Sequence, residues 1–232
     1  MIDVRPAASR GHFNFGWLDT WHSFSFGDYH DPARVQFRAL RVINEDRVEP
    51  GQGFGMHGHR DMEILTWVLE GELAHTDSMG HQQGLRPGSA QAMSAGTGVR
   101  HSEFNRSSRE QVHLLQIWLL PDREGHTPRY QEAAFADADL RNRLGLIASR
   151  DGAGGSVLLH QDVEVRVARL DPGASVRHGF QADRHGYVQV ARGSVTLNGR
   201  TLQAGDGAAL SGEPEAVLAA PEASEVLLFD LA

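Results

Sequence analysis

The chain has 232 residues, and its 22 basic and 30 acidic side chains give a formal net charge of −8 at pH 7. This charge argues against non-specific binding to nucleic acid, which requires a positive surface. The absence of cysteine excludes disulfides, iron–sulfur clusters and a cysteine nucleophile, and the absence of lysine excludes Schiff-base chemistry and the lysine of a nucleotide-binding P-loop.

Two features of the sequence bear on where the protein resides. No run of 18 or more apolar residues occurs, so no membrane-spanning helix is predicted. Residues 1–12 lack the apolar core of a secretory signal. We therefore expect a cytoplasmic protein that does not bind membranes.

The first half of the chain has the patterns of β-strands. Residues 22–26 alternate large side chains with serine, which predicts a strand with one apolar face. Residues 64–69 are almost continuously apolar, which is typical of a strand buried on both faces, and Trp67 within them is expected in the core. Further strands are expected up to about residue 46 and at 72–76, 90–94 and 113–120. Together these segments predict one antiparallel jelly roll.

Two pairs of candidate metal ligands lie among these strands. His57 and His59 are two residues apart, so in an extended strand both imidazoles point to the same face. His101 and Glu103 repeat this spacing after the glycine-rich turn at 95–98. Three imidazoles and one carboxylate suit a divalent transition metal better than calcium or magnesium, which prefer oxygen ligands. Four ligands on an octahedral ion would leave two positions open.

The alternative for these histidines is an ordinary surface location. The chain has 13 histidines, so some fall two residues apart by chance. A single His-x-His segment is as consistent with exposed side chains as with ligands, because imidazole is common in both places. The presence of a matching His-x-Glu segment favours the metal site.

The second half begins with a predicted linker and then returns to strands. Residues 121–130 are polar and flanked by proline, so we place the linker there. Residues 131–144 combine alanines with acidic residues early and arginines late, which predicts a short surface helix. From residue 145 onward, strand-like pieces separated by glycine and proline predict a second β-sandwich.

This second sandwich lacks a matching ligand set. His178 and His185 are seven residues apart, and no His-x-Glu segment follows. We therefore expect a metal-binding domain at residues 1–129 and a domain without a metal site at residues 130–232.

The two histidine segments resemble the two sequence motifs of the cupin superfamily. Gly51, His57, His59 and Gly71 fit the first motif, and Gly98, His101 and Asn105 fit the second. In an ordinary cupin the ligand carboxylate follows the second histidine of the first motif by five residues, where this sequence has Ile64. Glu63 is one residue early and would point to the opposite face of a strand. We expect Glu103 to replace it, and we expect Asp61 and Glu63 to make turn or surface contacts.

The same replacement, with the surrounding sequence, is similar to the pirin family. The segments concerned are GWLDTWHSFSFGDYHDP (16–32), HGHRDMEILTWVLEG (57–71), DSMG (77–80), SAGTGVRHSEFN (94–105) and HLLQIWLLP (113–121). The second half carries a thinner resemblance, through residues 146–163 and the closing EVLLFDLA. The resemblance implies an all-β bicupin, with two antiparallel jelly-roll domains and short helical connections.

The resemblance also implies a function. Pirin-like proteins of this kind include flavonol (quercetin) 2,3-dioxygenases, which open the heterocyclic ring of the substrate with O2. The implied cofactor is one divalent transition metal ion held by His57, His59, His101 and Glu103, with iron named first and zinc, nickel, cobalt, manganese and copper as alternatives. Glu103 is also expected to act as the base that takes the proton from the substrate hydroxyl.

A second class of function stays open at this point. Other pirins are metal-dependent regulators that bind a protein partner, and one fold can host either role. The enzyme hypothesis implies a small aromatic substrate and O2 as partners. We expect a monomer.

Overall fold

Short extended segments that end at glycine, proline or charged turns follow one another along almost the entire chain. A computed structural model describes residues Met1–Ala232. It contains one α-helical turn, α1 (Asp137–Leu140), and two short 3-10 turns, Ala7–Ser9 and Ala153–Gly155. None of its helices has the length and apolarity that a membrane span requires.

The remaining regular structure is β. In the first part of the chain the strands are β1 (Ile2–Arg5), β2 (Gly11–Asn14), β3 (Leu18–His22), β4 (Leu40–Val48), β5 (Gly53–His59), β6 (Glu63–Glu70), β7 (Leu73–Asp77), β8 (Gln82–Leu85), β9 (Ser89–Ser94), β10 (Val99–Asn105), β11 (Val112–Leu119) and β12 (Arg129–Ala134). In the second part they are β13 (Gly145–Ser149), β14 (Val157–Leu158), β15 (Val163–Leu170), β16 (Ser175–Gly179), β17 (His185–Arg192), β18 (Ser194–Leu197), β19 (Arg200–Gln203), β20 (Gly207–Ser211), β21 (Glu215–Ala219) and β22 (Ser224–Leu231).

The chain divides into two compact units. The N-terminal unit consists of Gly11–Ala134 and Val157–Gln161, and the C-terminal unit consists of Met1–Arg10, Phe135–Ser156 and Asp162–Ala232. The predicted division fell between residues 129 and 130. In the structure β12 belongs with the N-terminal unit, whereas the first ten residues belong with the C-terminal unit.

Two antiparallel sheets build the N-terminal unit. One has the strand order β12-β9-β6-β11-β4-β3-β2, and the other has the order β5-β10-β7-β8. Strand β6 is central in the first sheet and all but its last residue are buried, as its continuous apolar run predicted. Trp67 is fully buried, which confirms its predicted place in the core. The candidate metal ligands lie in the second sheet.

The C-terminal unit repeats this two-sheet plan. One sheet places β1, β20, β17, β22, β15 and β13 side by side, and the other has the order β16-β21-β18-β19. Alternating valines of β15 contribute to the buried residues, with Val163, Val165 and Val167 all inside. The predicted all-β fold with two antiparallel units and short helical connections is therefore confirmed.

Two local predictions are wrong. Residues 22–26 do not form a strand, because β3 ends at His22 and the Ser25 hydroxyl then pairs with the backbone of Asp31 in a loop. The helix predicted for residues 131–144 shrinks to the single turn α1. Its first part is the strand β12, which pairs with β9 over six residues, so strand pairing overrides the helical preference of the alanines.

Candidate metal centre

Strand β10 lies between β5 and β7, and this arrangement positions the candidate ligands. His101 on β10 is opposite His57 on β5 and opposite Asp77 on β7. Glu103 on β10 is opposite His75 on β7. Residues directly opposite in antiparallel strands have neighbouring side chains, so the predicted ligands from two strands meet here.

The three predicted histidine ligands form one compact group. The ring centroids are 4.8 Å apart for His57 and His59, 4.4 Å apart for His57 and His101, and 4.8 Å apart for His59 and His101. One potential ligand atom from each of these rings lies within 4.8 Å of the others. His57 Nδ1 is 2.7 Å from the carbonyl oxygen of Gly55, so Nδ1 donates and Nε2 keeps its lone pair for a metal.

Buried polar atoms without partners mark the same place. His101 is buried, and neither of its ring nitrogens has a hydrogen-bond partner in the chain. Oxygen Oε1 of the buried Glu103 also lacks a partner. Because buried polar groups are nearly always satisfied, these atoms fit a site that is completed by a bound cation. Neutral nitrogen donors and a carboxylate oxygen suit a divalent transition metal.

Glu103 occupies a defined position beside His101. Its Oε2 accepts a hydrogen bond of 2.9 Å from Gln116 Nε2. Thr66 Oγ1 donates to Gln116 Oε1 at 2.7 Å, which fixes the amide so that its NH2 group faces Glu103. The potential ligand atom of Glu103 groups with those of His101 and His75, and not with the group of three histidines.

Burial keeps two of these histidines, His59 and His101, neutral. Burial and then the adjacent His57 lower the pKa of His59 to about 4. Burial, followed by His57 and His59, lowers the pKa of His101 to about 2. Neutral imidazole is the form that binds a metal, so the nitrogens are ready to bind at neutral pH.

Burial acts on the carboxyl groups in the opposite direction. It raises the pKa of Glu103 to about 7, although the hydrogen bond from Gln116 favours the ionised form. It also raises the pKa of Asp46 to about 7, with the hydrogen bond from Thr20 opposing. A nearby cation would stabilise the ionised form of either carboxyl group.

Glu63 departs from its prediction. It was expected at a turn or the surface, but it is 1% exposed at the start of β6. Its Oε2 accepts hydrogen bonds from Ser94 Oγ at 2.7 Å and from the backbone N–H of His160 at 3.1 Å. Asp61 does make the expected turn contact, since its Oδ1 accepts from the backbone N–H of Gly125 at 2.7 Å.

His75 was not predicted as a site residue, but the structure places it at this centre. It is fully buried on β7, and its ring centroid is 5.3 Å from that of His101. The only signal was the acidic partner Asp77 two residues later. His113 is also buried, and its Nε2 is 3.0 Å from Glu45 Oε1.

A cavity of about 530 Å³ opens onto the three histidines and Glu103. Aromatic side chains form much of its wall, namely Trp17, Phe26, Phe54 and Trp118. Asn44 and Asp46 also line it, and each has a buried oxygen, Oδ1, without a hydrogen-bond partner. The cavity therefore combines flat apolar surfaces with acceptor oxygens beside potential metal ligands.

Comparison with known proteins places the chain in a family. The Pirin family model matches residues 3–119, and the model described as the quercetinase C-terminal cupin domain matches residues 146–231. The chain belongs to the pirin family. This confirms the family that the sequence motifs indicated.

Individual relatives cover this pirin from end to end. A protein named quercetin 2,3-dioxygenase from Escherichia coli (strain K12) is 50% identical over 232 residues, with 100% of this chain and 99% of the relative covered. A putative quercetin 2,3-dioxygenase from Pseudomonas aeruginosa is 42% identical over 233 residues, with 100% of both chains covered.

Solved structures agree with this assignment. The crystal structure of YhhW from Escherichia coli aligns with a TM-score of 0.96 at 48% identity, covering 100% of this chain and 98% of that one. The structure of bacterial pirin YhhW in complex with nickel(II), also from Escherichia coli, aligns with a TM-score of 0.93 at 48% identity, covering 100% and 99%.

Proposed function

We propose that this pirin is a metal-dependent dioxygenase that opens the heterocyclic ring of a flavonol such as quercetin with O2. The observation that carries the proposal is the cavity of about 530 Å³, in which aromatic walls adjoin a group of three histidines with unpartnered nitrogens on His101. Relatives that align over their full length and bear the name quercetin 2,3-dioxygenase support it.

The proposed ligands are His57, His59, His101 and Glu103. A bound divalent transition metal supplies Lewis acidity toward a substrate hydroxyl and redox chemistry toward O2. Iron is the first candidate, and the nickel(II) complex of a related pirin makes nickel the second. Zinc, cobalt, manganese and copper are also compatible with nitrogen and oxygen donors.

Glu103 is the proposed base. Gln116 donates to one carboxyl oxygen, Oε2, whereas Oε1 has no hydrogen-bond partner, and Glu103 lines the cavity. Oxygen Oε1 can accept the proton of the substrate hydroxyl, because a bound cation would keep the carboxylate ionised before the transfer. The resulting flavonolate reacts with one O2, which gives one ring-opened ester and one carbon monoxide.

The cavity walls match a polyhydroxylated aromatic substrate. Trp17, Phe54 and Trp118 offer ring faces and edges on which a planar aromatic ring can pack. The Oδ1 atoms of Asn44 and Asp46 have no partner in the chain and can accept hydrogen bonds, so they favour a ligand that carries hydroxyl donors.

Turnover by the purified protein tests the proposal. Protein freed of metal with a chelator and then loaded separately with Fe²⁺, Ni²⁺ or Co²⁺ is mixed with quercetin in air, and the loss of flavonol absorbance is followed. We expect turnover with at least one metal and none with the metal-free protein. His12→Ala is the control, because His12 is exposed and stacks on Trp21 outside the cavity.

Metal-loaded protein without any turnover would overturn the proposal. If the same protein captured a partner protein only when metal was bound, the regulatory alternative would stand in its place. The monomeric state and the cytoplasmic location stay predictions.

A further inference from the structure

A second group of potential ligands lies beside the three histidines, and the proposed reaction uses only part of it. His75, His101 and Glu103 each offer one ligand atom within 4.8 Å of the others. All three side chains are buried, whereas His57 and His59 are partly exposed. Two imidazoles and one carboxylate are donors that bind divalent transition metals.

The hydrogen bonding of His75 leaves one ring nitrogen without a partner. Its Nε2 lies 3.2 Å from Asp77 Oδ2, and a carboxylate accepts, so Nε2 carries the hydrogen. Its Nδ1 is buried and has no hydrogen-bond partner. Histidines that bind metals commonly donate their other ring N–H to a carboxylate in this way.

The surroundings hold this pair firmly in place. Asp77 Oδ1 accepts from the backbone N–H of Met79 at 2.8 Å, and Asp77 Oδ2 lies 2.9 Å from His81 Nδ1. The ring of Tyr130 stacks on His75 with a centroid distance of 4.6 Å. A ring fixed by packing and by its carboxylate partner is preorganised as a ligand.

A single ion cannot be bound by all the candidate ligands of both groups at once. Ligand bonds of about 2.0 to 2.2 Å allow two donors on one ion to be no more than about 4.4 Å apart. Neither His57 nor His59 belongs to the group that contains His75. In this geometry an ion bound by His75 therefore occupies a different position from an ion bound by His57 and His59. Glu103, which groups with His75 and His101, reaches the outer ion only after its side chain turns toward His57 and His59.

We propose that His75, His101 and Glu103 form an inner cation position for a divalent transition metal, oriented by Asp77. His101 belongs to both groups, so an ion can exchange between the outer position at His57 and His59 and the inner position. The inference builds on the metal centre of the proposed function but requires neither a particular substrate nor turnover.

Binding of Co²⁺ to a variant without the outer histidines tests the inner position. In the double variant His57→Ala/His59→Ala we expect about one Co²⁺ per chain to survive desalting, with a visible absorption spectrum different from that of the parent protein. Adding His75→Ala should reduce the retained Co²⁺ at least tenfold. Adding His113→Gln is the matched control, because His113 is also buried but belongs to neither ligand group. Circular dichroism checks folding in every case.

A folded double variant that binds no Co²⁺ would overturn the inference, and so would Co²⁺ retention that is unchanged by His75→Ala. If His75→Ala does not fold, Asp77→Asn in the double variant takes its place, with an expected 10- to 100-fold loss of Co²⁺ affinity, roughly the usual effect of removing a partner that orients a ligand. Unchanged affinity would then overturn it. Each negative result leaves flavonol turnover by the parent protein unaffected, so failure here is distinct from failure of the proposed function.

Discussion

Glu103 experiences two opposing influences within one buried side chain. The amide of Gln116 favours the carboxylate, whereas burial favours the protonated acid and prevails in the metal-free protein. A cation beside His101 would reverse this balance, because it stabilises the carboxylate directly. The same residue can therefore serve as a ligand and as a proton acceptor.

Replacement of Glu103 by glutamine tests its role as the base. The amide cannot accept the proton, so we expect quercetin turnover to fall by about 100- to 10,000-fold. His57, His59 and His101 remain, and metal content measured by mass spectrometry should persist. Glu63→Gln is the matched control, since Glu63 is equally buried but hydrogen-bonded to Ser94 outside the ligand groups. Parental turnover in a metal-loaded Glu103→Gln protein would show that the substrate binds already deprotonated.

The raised pKa of Glu103 also predicts a pH-dependent stability. The folded protein holds this proton up to a pKa of about 7, compared with 4.5 for an unperturbed glutamate, so the folded state binds more protons between these values. The contribution of Glu103 to stability is then fully present below pH 4.5 and is lost as the pH rises to about 7.

Comparison of the parent protein with Glu103→Gln isolates this effect. The metal-free parent should lose up to about 3 kcal/mol of unfolding free energy relative to the variant between pH 4.5 and 7.5, because one pKa unit corresponds to about 1.4 kcal/mol. His59 and His101 have lowered pKa values and act in the opposite sense below about pH 6.5, but both proteins contain them. Urea unfolding across this range measures the difference. A difference independent of pH would contradict the assigned environment of Glu103.

At the scale of the strands, close approach of β5 to β10 sets the geometry of the centre. The register between them shifts between His101 and Glu103, where Glu103 is opposite Phe54. A Cβ atom built on Gly53 would overlap the carbonyl oxygen of Glu103 and lie 2.6 Å from Cα of Phe104. The absence of a side chain at Gly53 is therefore what allows β5 to pair here.

Gly53→Ala should separate the two strands beside Glu103. We expect a loss of about 1 to 3 kcal/mol in stability, the usual range for overpacking, together with weaker metal binding. Gly58→Ala on the same strand is the control, because its Cβ would be 3.7 Å from the nearest atom, an ordinary contact. Thermal unfolding and Co²⁺ titration of both variants measure the effect. Equal thermal stability and equal Co²⁺ binding of the two variants would contradict this role of Gly53.

Some strands could be predicted from sequence patterns and others could not. Continuous apolar runs such as β6 were located from the sequence because burial on both faces leaves a strong pattern. The alternation at residues 22–26 predicted a strand that does not form, because the loop there buries Phe24 without strand pairing. Residues of β12 prefer helix locally, and only their pairing with β9 makes them a strand. The local sequence of β12 does not indicate that it pairs with β9.

The candidate metal site could likewise be predicted only as far as local sequence patterns specify it. The spacing of two residues within each pair predicted His57, His59, His101 and Glu103 as ligands from the sequence alone. His75 was not predicted as a ligand, because the residue two positions after it is Asp77 and it belongs to no recognised motif. Its relation to Glu103 depends on the register of β7 with β10, which the sequence does not specify on its own.

At the scale of the whole molecule, the first ten residues join the unit formed by the end of the chain. Strand β1 pairs with β20, with Ile2 opposite Leu210 and Val4 opposite Ala208. Ile2 and Val4 also pack against the buried apolar cluster of that unit. A pairing such as that of Ile2 with Leu210, so far apart in sequence, leaves no local signature, which is why the predicted boundary at 129/130 assigned β1 to the first domain.

Deletion of residues 1–10 should therefore weaken the C-terminal unit and spare the metal centre. Loss of the apolar contacts of Ile2 and Val4 should lower the stability of that unit by about 2 kcal/mol or more. Scanning calorimetry measures the transition, and Co²⁺ titration should be unchanged. Glu213→Gln is the control, because it removes the ion pair with the exposed amino terminus but leaves β1 in place. A transition unaffected by the deletion would contradict the assignment of β1 to this unit.

Release of carbon monoxide by the metal-loaded protein tests the central claim most directly. Opening of the flavonol ring by this reaction consumes one O2 and yields one carbon monoxide for every quercetin molecule, whereas simple oxidation of the catechol yields none. We predict equal amounts of quercetin consumed and carbon monoxide released by the parent protein, and none released by the metal-free protein. Quercetin loss without carbon monoxide, or no loss with metal bound, would contradict the account.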